Sequence, residues 1–143
     1  MADLHPEITP KLADWIGRQK IFFAASAAPE GSVNVSPRST DLFRMTGPHE
    51  VCWLSMLGSG NETAAHLRLS PRMTVMFCAF EGPPRILRLY GEAENHYVGT
   101  PGYAAALDAH FAGEAPRSAR QIIRLAVSKV QTSCGYGVPL FDW

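Results

Sequence analysis

The sequence predicts an α+β protein built on a closed or nearly closed antiparallel barrel of about six strands. Three observations carry that expectation. Short apolar runs recur along the chain, separated by turn residues such as Ala28-Pro29-Glu30-Gly31 and Gly82-Pro83-Pro84. Most connections are too short for the helical crossovers of a parallel sheet. The helical patterns are inserted at the corners of such a barrel.

The elements follow in order. Leu12, Trp15 and Ile16 recur at i, i+3 and i+4, so residues 9–19 read as an amphipathic helix with Thr9 as cap and Pro10 at its first position. Residues 21–28 and 32–36 read as a hairpin, and 37–48 as an irregular loop containing Arg38, Asp41 and Arg44. Residues 51–57 are a strand, 61–69 a helix, 72–81 a strand, and 85–96 a long strand after the Gly82-Pro83-Pro84 turn. An Ala-rich helix covers 101–111, and 117–133 carries a last helical turn before a strand around 125–130.

The 143 residues suit one domain, with the N-terminal helix (within 1–19) packed on the barrel. Thirteen basic and thirteen acidic side chains cancel, which gives no footprint for nucleic acid or an anionic membrane. No apolar run approaches the roughly 20 residues of a membrane span. The start, Met1 to Leu12, lacks the pattern of a signal peptide. Cys52, Cys78 and Cys134 lack paired metal-ligand spacing, so no metal site is expected and reduced thiols in a cytoplasmic protein are. Strand edges with few polar devices imply a partner over one side of the barrel.

The chemistry concentrates in residues 52–91. Gly58, Ser59, Gly60 and Asn61 place small residues where a strand gives way to a helix, a junction that exposes backbone N–H groups to an anion. The blander reading is a turn with an N-cap. Arg85 and Arg88 add two cations to the apolar run of the next strand but, with period two, face opposite ways. Arg88 shares its face with Ile86 and Tyr90. Tyr136 and Trp143 read as aromatics for a subunit interface.

The runs LGSGNETAAHLRLSPRMTVMF (57–77), RILRLYG (85–91) and VQTSCGYGVP (130–139), in that order, resemble the FMN-binding split barrel of the pyridoxamine 5′-phosphate oxidase family. The resemblance implies an antiparallel split β-barrel, Greek-key-like, with short peripheral helices. It also implies a homodimer with FMN lodged between subunits and an oxidoreductase acting on a small molecule. The family holds the flavin phosphate with a basic residue on an early strand and with Ser, Arg and Lys at a helix start. Here Arg38 takes the first position and Asn61, Glu62 and Thr63 the second, where Glu62 reverses the charge. Arg38 is therefore expected as the main anchor, assisted by Ser36, Ser59, Asn61 and Thr63. The family's flavin contact on this strand falls at Ile86, so the resemblance implies Arg88, on the same face, as a ligand and Arg85 as a structural ion-pair residue, while Gln131 and Thr132, with Ser133, match the family's Gln-Ser pair at the ring edge. The family's true oxidases add a C-terminal Arg and His that grip substrate phosphate. This sequence ends at Leu140-Phe141-Asp142-Trp143, so a related activity is expected rather than that one. A flavin carrier without turnover is the alternative. Haem-binding relatives would need His66 or Cys134 as an axial ligand, and a deazaflavin would need a larger basic groove.

Overall fold

A computed structural model describes residues 2–58 and 60–142. The described residues form eight strands and three helices: β1 Asp3–His5, α1 Pro10–Gly17, β2 Ile21–Ser26, β3 Asn34–Ser39, β4 Phe43–Gly47, β5 Glu50–Met56, α2 Glu62–Leu67, β6 Arg72–Cys78, β7 Ile86–Tyr97, α3 Pro101–Phe111 and β8 Ala119–Ser133. All strand pairs are antiparallel, in the order β3-β2-β6-β7-β8-β5-β4. β1 adds to β8 at residues 130–132, beyond the part of β8 that pairs with β5.

The two edge strands, β3 and β4, are joined by only residues 40–42, which draws the ends of the sheet toward each other. Thr40 N–H bonds to Lys20 O at 3.2 Å and Leu54 N–H to Leu42 O at 3.2 Å, fixing that corner. The result is a curled half-barrel, the split-barrel architecture with slightly more strands than the expected six. Its concave side is filled by aromatics from four strands. Phe22 packs 4.9 Å from Phe43 and 5.4 Å from Trp53, and Phe43 sits edge-on to Phe77 at 5.4 Å. Leu12, Trp15 and Ile16 of α1 join the same core. The Thr9 hydroxyl accepts from Leu12 N–H at 3.4 Å, as the cap pattern requires. No helix among the described residues is long and apolar enough to cross a membrane.

The register of β5 explains its unbroken burial. Val51 and Trp53 face the barrel core, while Cys52 and Leu54 on the other side are covered by Tyr103 and Phe111 of α3, together with Ile122. The covered thiol of Cys52 is pushed up to about 12 by burial and by Glu50. Two expectations need correction. Residues 37–48 are not an irregular loop, because β3 runs on to Ser39 and β4 occupies Phe43–Gly47. The start of 117–133 is not helical, because a single hydrogen-bonded turn at residues 117–118, closed by Ala119 N–H on Pro116 O at 2.9 Å, leads directly into Ala119–Ser133, one fifteen-residue strand gripped on both edges.

Away from the core, Arg124 bridges β5 and β7, with Nε 2.6 Å from Glu50 and Nη1 2.7 Å from Glu94. Burial alone would raise the Glu50 carboxyl, but hydrogen bonds from Thr46 and Arg124, with the Arg124 charge, outweigh it and hold the pKa below the ordinary value. A carboxyl lowered in the folded state stabilises the fold above its unfolded pKa. That stabilisation disappears as pH falls through the lower folded value. Acid unfolding of Glu50→Gln is therefore expected to depend less steeply on pH below about 4.5 than wild type does. Coincident acid limbs in circular dichroism would count against this.

Candidate functional site

β3 lies at one edge of the sheet and pairs with β2 so that Asn34, Ser36 and Arg38 stand opposite Ser26, Ala24 and Phe22. Ala24 and Phe22 are fully buried in the core, so these three polar side chains share the concave face. Asn34 Nδ2 donates to Ser36 Oγ at 3.1 Å and to Thr63 Oγ1 at 3.2 Å. Two predicted residues far apart in sequence are thus brought together by Asn34, which sequence reasoning missed.

Arg38 lines a cavity of about 340 Å³ with Pro37, Trp53, Met56, Gly58, Gly60 and Arg120. Its Nη1 donates to Ser55 Oγ at 3.4 Å, and its Nε is buried with no acceptor among the described residues. Behind it runs a polar chain, buried at Ser55 and Gln121. Gln121 Nε2 donates to the same Ser55 Oγ at 3.4 Å, and Asn95 Nδ2 donates to Gln121 Oε1 at 2.8 Å. Burial, and then the neighbouring charge of Arg120, hold the Arg38 pKa below that of an ordinary arginine. A half-buried cation beside a second cation, with N–H donors left over, is an environment that an anion would complete.

Arg120 is a further residue that the sequence reading missed. It stands second in β8, and its Nη2 donates to Gly60 O at 2.7 Å. Starting the last strand at Ala119 rather than near Leu125 would have placed Arg120 beside the loop after β5, because Met56 pairs with Ala119. α2 has only six residues, Asn61 at its cap makes no side-chain capping bond, and Glu62 is an acid in the first turn. Ser59 and Trp143 lie outside the described residues.

The remaining predicted residues form a second group on the convex face. Leu87 and Leu89 point into the core, so Ile86, Arg88 and Tyr90 point outward. Arg88 stands opposite Gln131 and donates from Nη1 to Ser133 Oγ at 3.4 Å, while the Tyr90 hydroxyl donates to Gln131 Oε1 at 3.0 Å. Thr132 does not join them. It is 9% exposed on the opposite side of β8, and its hydroxyl is hydrogen-bonded to His5 Nε2 at 2.9 Å. Ser133 takes the place expected of it, since alternation puts residues 131 and 133, not 132, on one face. Arg85 makes no ion pair with a described residue. Its guanidinium lies 5.7 Å over the ring of Trp15. His66 Nδ1 is 3.0 Å from Ser26 Oγ, Cys134 is exposed, and no cluster of metal-ligating side chains occurs among the described residues.

A curled antiparallel half-barrel with short helices is the architecture of the split-barrel proteins. The chain belongs to the pyridoxamine 5′-phosphate oxidase family, whose model matches residues 8–134. It is 39% identical over 145 residues to the pyridoxamine 5′-phosphate oxidase family protein ustO of Aspergillus flavus, an alignment covering 99% of this chain and 58% of that protein. The chain thus spans little more than half the length of that curated relative. Among solved structures, it resembles an FMN-binding, pyridoxamine 5′-phosphate oxidase-related protein of Nostoc punctiforme, with 11% identity, TM-score 0.64, and 92% and 87% of the two chains covered. It also resembles the haem storage protein HutZ of Vibrio cholerae, with 13% identity, TM-score 0.59, and 90% and 97% covered. At these identities both likenesses are of fold alone.

Proposed function

We propose that this protein binds FMN without a covalent link, between two copies of the chain, and serves as an oxidoreductase for a small molecule. The observation that carries the reading is Arg38, a half-buried guanidinium with donors to spare, lining the cavity beside Gly58 and Gly60. Ser36 and Thr63, joined through Asn34, add hydroxyl groups on the same concave side. The bound flavin supplies the redox chemistry, while the chain anchors its phosphate and orients its ring.

The division of the candidates between two faces supports a second copy. A single sheet cannot turn Arg38 and Arg88 toward one ligand, whereas two chains packed convex face to β3 edge can. That convex face is partly apolar and open, with Phe23 and Met76 half-buried and Val35 59% exposed. In this arrangement Arg38 of one protomer meets the phosphate, and Arg88 and Gln131 of its partner meet the polar edge of the ring.

The deciding measurement is a visible absorption spectrum before and after FMN is added. Bands near ~375 and ~450 nm support the flavin reading. One sharp band near ~400 nm means haem, and no uptake means neither. Haem would require His66, now bonded to Ser26, or the exposed Cys134.

Arg88→Ala is expected to weaken flavin binding with little change in unfolding temperature. Arg85→Ala is expected to do the reverse, because it removes the contact over Trp15. Mixing Arg38→Ala with Arg88→Ala protein should restore one intact site per mixed dimer. Failure of the mixture to bind more FMN than either variant alone would sink the shared-site arrangement.

A further inference from the structure

We propose that Arg120 is the second cation of an anion clamp with Arg38, and that the clamp selects ligands ending in a phosphate monoester. It rests on the flavin reading only for the identity of the rest of the ligand. Leu57 N–H bonds to Ser118 O at 2.6 Å, which lays the segment after β5 alongside the start of β8. There Arg120 reaches across to Gly60 O at 2.7 Å. Arg120 Nε, like Arg38 Nε, is buried with no acceptor among the described residues, and both side chains line the same cavity.

No carboxylate among the described residues answers these charges. Neither arginine makes an ion pair with them, and Asp41, which lines the cavity as well, accepts the Ser39 hydroxyl at 2.7 Å. The first turn of α2 adds no cation, since its one charged side chain is the acid Glu62. Two neighbouring guanidinium groups repel in the ligand-free protein, so a ligand gains most if it neutralises both. A phosphate monoester has close to two negative charges and three terminal oxygens, enough to engage both forks. A phosphodiester has one charge and two such oxygens, and an unphosphorylated ribityl chain has none. The clamp therefore favours FMN over riboflavin and over flavins whose phosphate is esterified at both ends.

The test uses two probes on wild type, Arg120→Gln and Arg120→Lys. Inorganic phosphate is read as a shift in unfolding temperature against chloride of equal ionic strength. The ratio of FMN to riboflavin affinity is read by fluorescence quenching. Phosphate should stabilise wild type and not Arg120→Gln. The affinity ratio should fall about 10- to 100-fold in Arg120→Gln, with riboflavin affinity held within about twofold, and recover in part in Arg120→Lys. If Arg120→Gln does not fold, Arg120→Lys keeps the charge and the reach to Gly60, and a reduced ratio there supports the fork. Equal losses for both flavins, or phosphate stabilising Arg120→Gln as much as wild type, would overturn the clamp and leave Arg120 as a strap on the Gly60 carbonyl. If wild type takes neither flavin but is stabilised by phosphate through Arg120, the clamp stands and the flavin reading falls.

Discussion

Replacing Arg38 with methionine is expected to weaken FMN binding about 100-fold while leaving riboflavin affinity within about twofold, because two charge-assisted hydrogen bonds to phosphate are lost and no ring contact is. The same substitution is expected to leave the ligand-free protein as stable as wild type or more so. Arg38 is half-buried, faces the like charge of Arg120, and makes one long hydrogen bond, 3.4 Å to Ser55. Ser55 keeps its bond from Gln121 when Arg38 is gone, so no buried hydroxyl is stranded. Methionine fills much of the same volume beside Phe22 and Trp53 without desolvating a charge. A residue that costs stability without ligand and is required with it has the profile of a binding group rather than a structural one. Fluorescence titration with both flavins and a thermal melt check this together. A variant that melts well below wild type and loses both flavins equally would show that Arg38 holds the barrel and not the phosphate.

Gly91→Ala is expected to destabilise the fold by about 3 kcal/mol or more, read as a lower midpoint in urea. β7 and β8 are in register up to Tyr90 opposite Lys129 and resume at Gly91 opposite Val127, so a bulge sits between the two positions. A Cβ on Gly91 would lie 2.9 Å from the Ala126 carbonyl carbon and 3.2 Å from Val127 Cα, and closer still to the Ala126 oxygen. These are backbone atoms of the partner strand, which cannot rotate away as a side chain would. Relief requires separating β7 from β8, the strands at the centre of the sheet. The bulge also sets which side chains face outward on β8 beyond it, so its loss would disturb Gln131 and Ser133 opposite Arg88 and Ile86. A loss below about 1 kcal/mol would mean that the strands part there more easily than their register indicates.

Local chemistry made much of this architecture legible. Thr9 and Pro10 mark the start of α1, and Thr100 and Pro101 that of α3, because capping and the fixed φ of proline act within one turn of chain. β2, β5, β6 and the long β7 are visible as apolar or alternating runs, since each buries at least one face wherever it ends up. Arg38 is visible too, as a cation after a strand in the order of parts that the family shares.

Other elements exist only through pairing. β1 is three residues on the edge of β8, and β4 is a mixed run, Phe43-Arg44-Met45-Thr46-Gly47, that is extended because β5 lies beside it. Arg117 to Arg124 has no strand alternation of its own, yet most of it is drawn out between β5 and β7. The site follows the same division. Sequence determined that this chain would be a split barrel with an arginine near its β3 edge. Only the tertiary structure decided that Arg120, Ser55, Gln121 and Asn34 surround that region, and that Arg88 and Gln131 face away from it. Burial and like-charge proximity depend on distances between segments far apart in the chain, and no local pattern of residues encodes those distances.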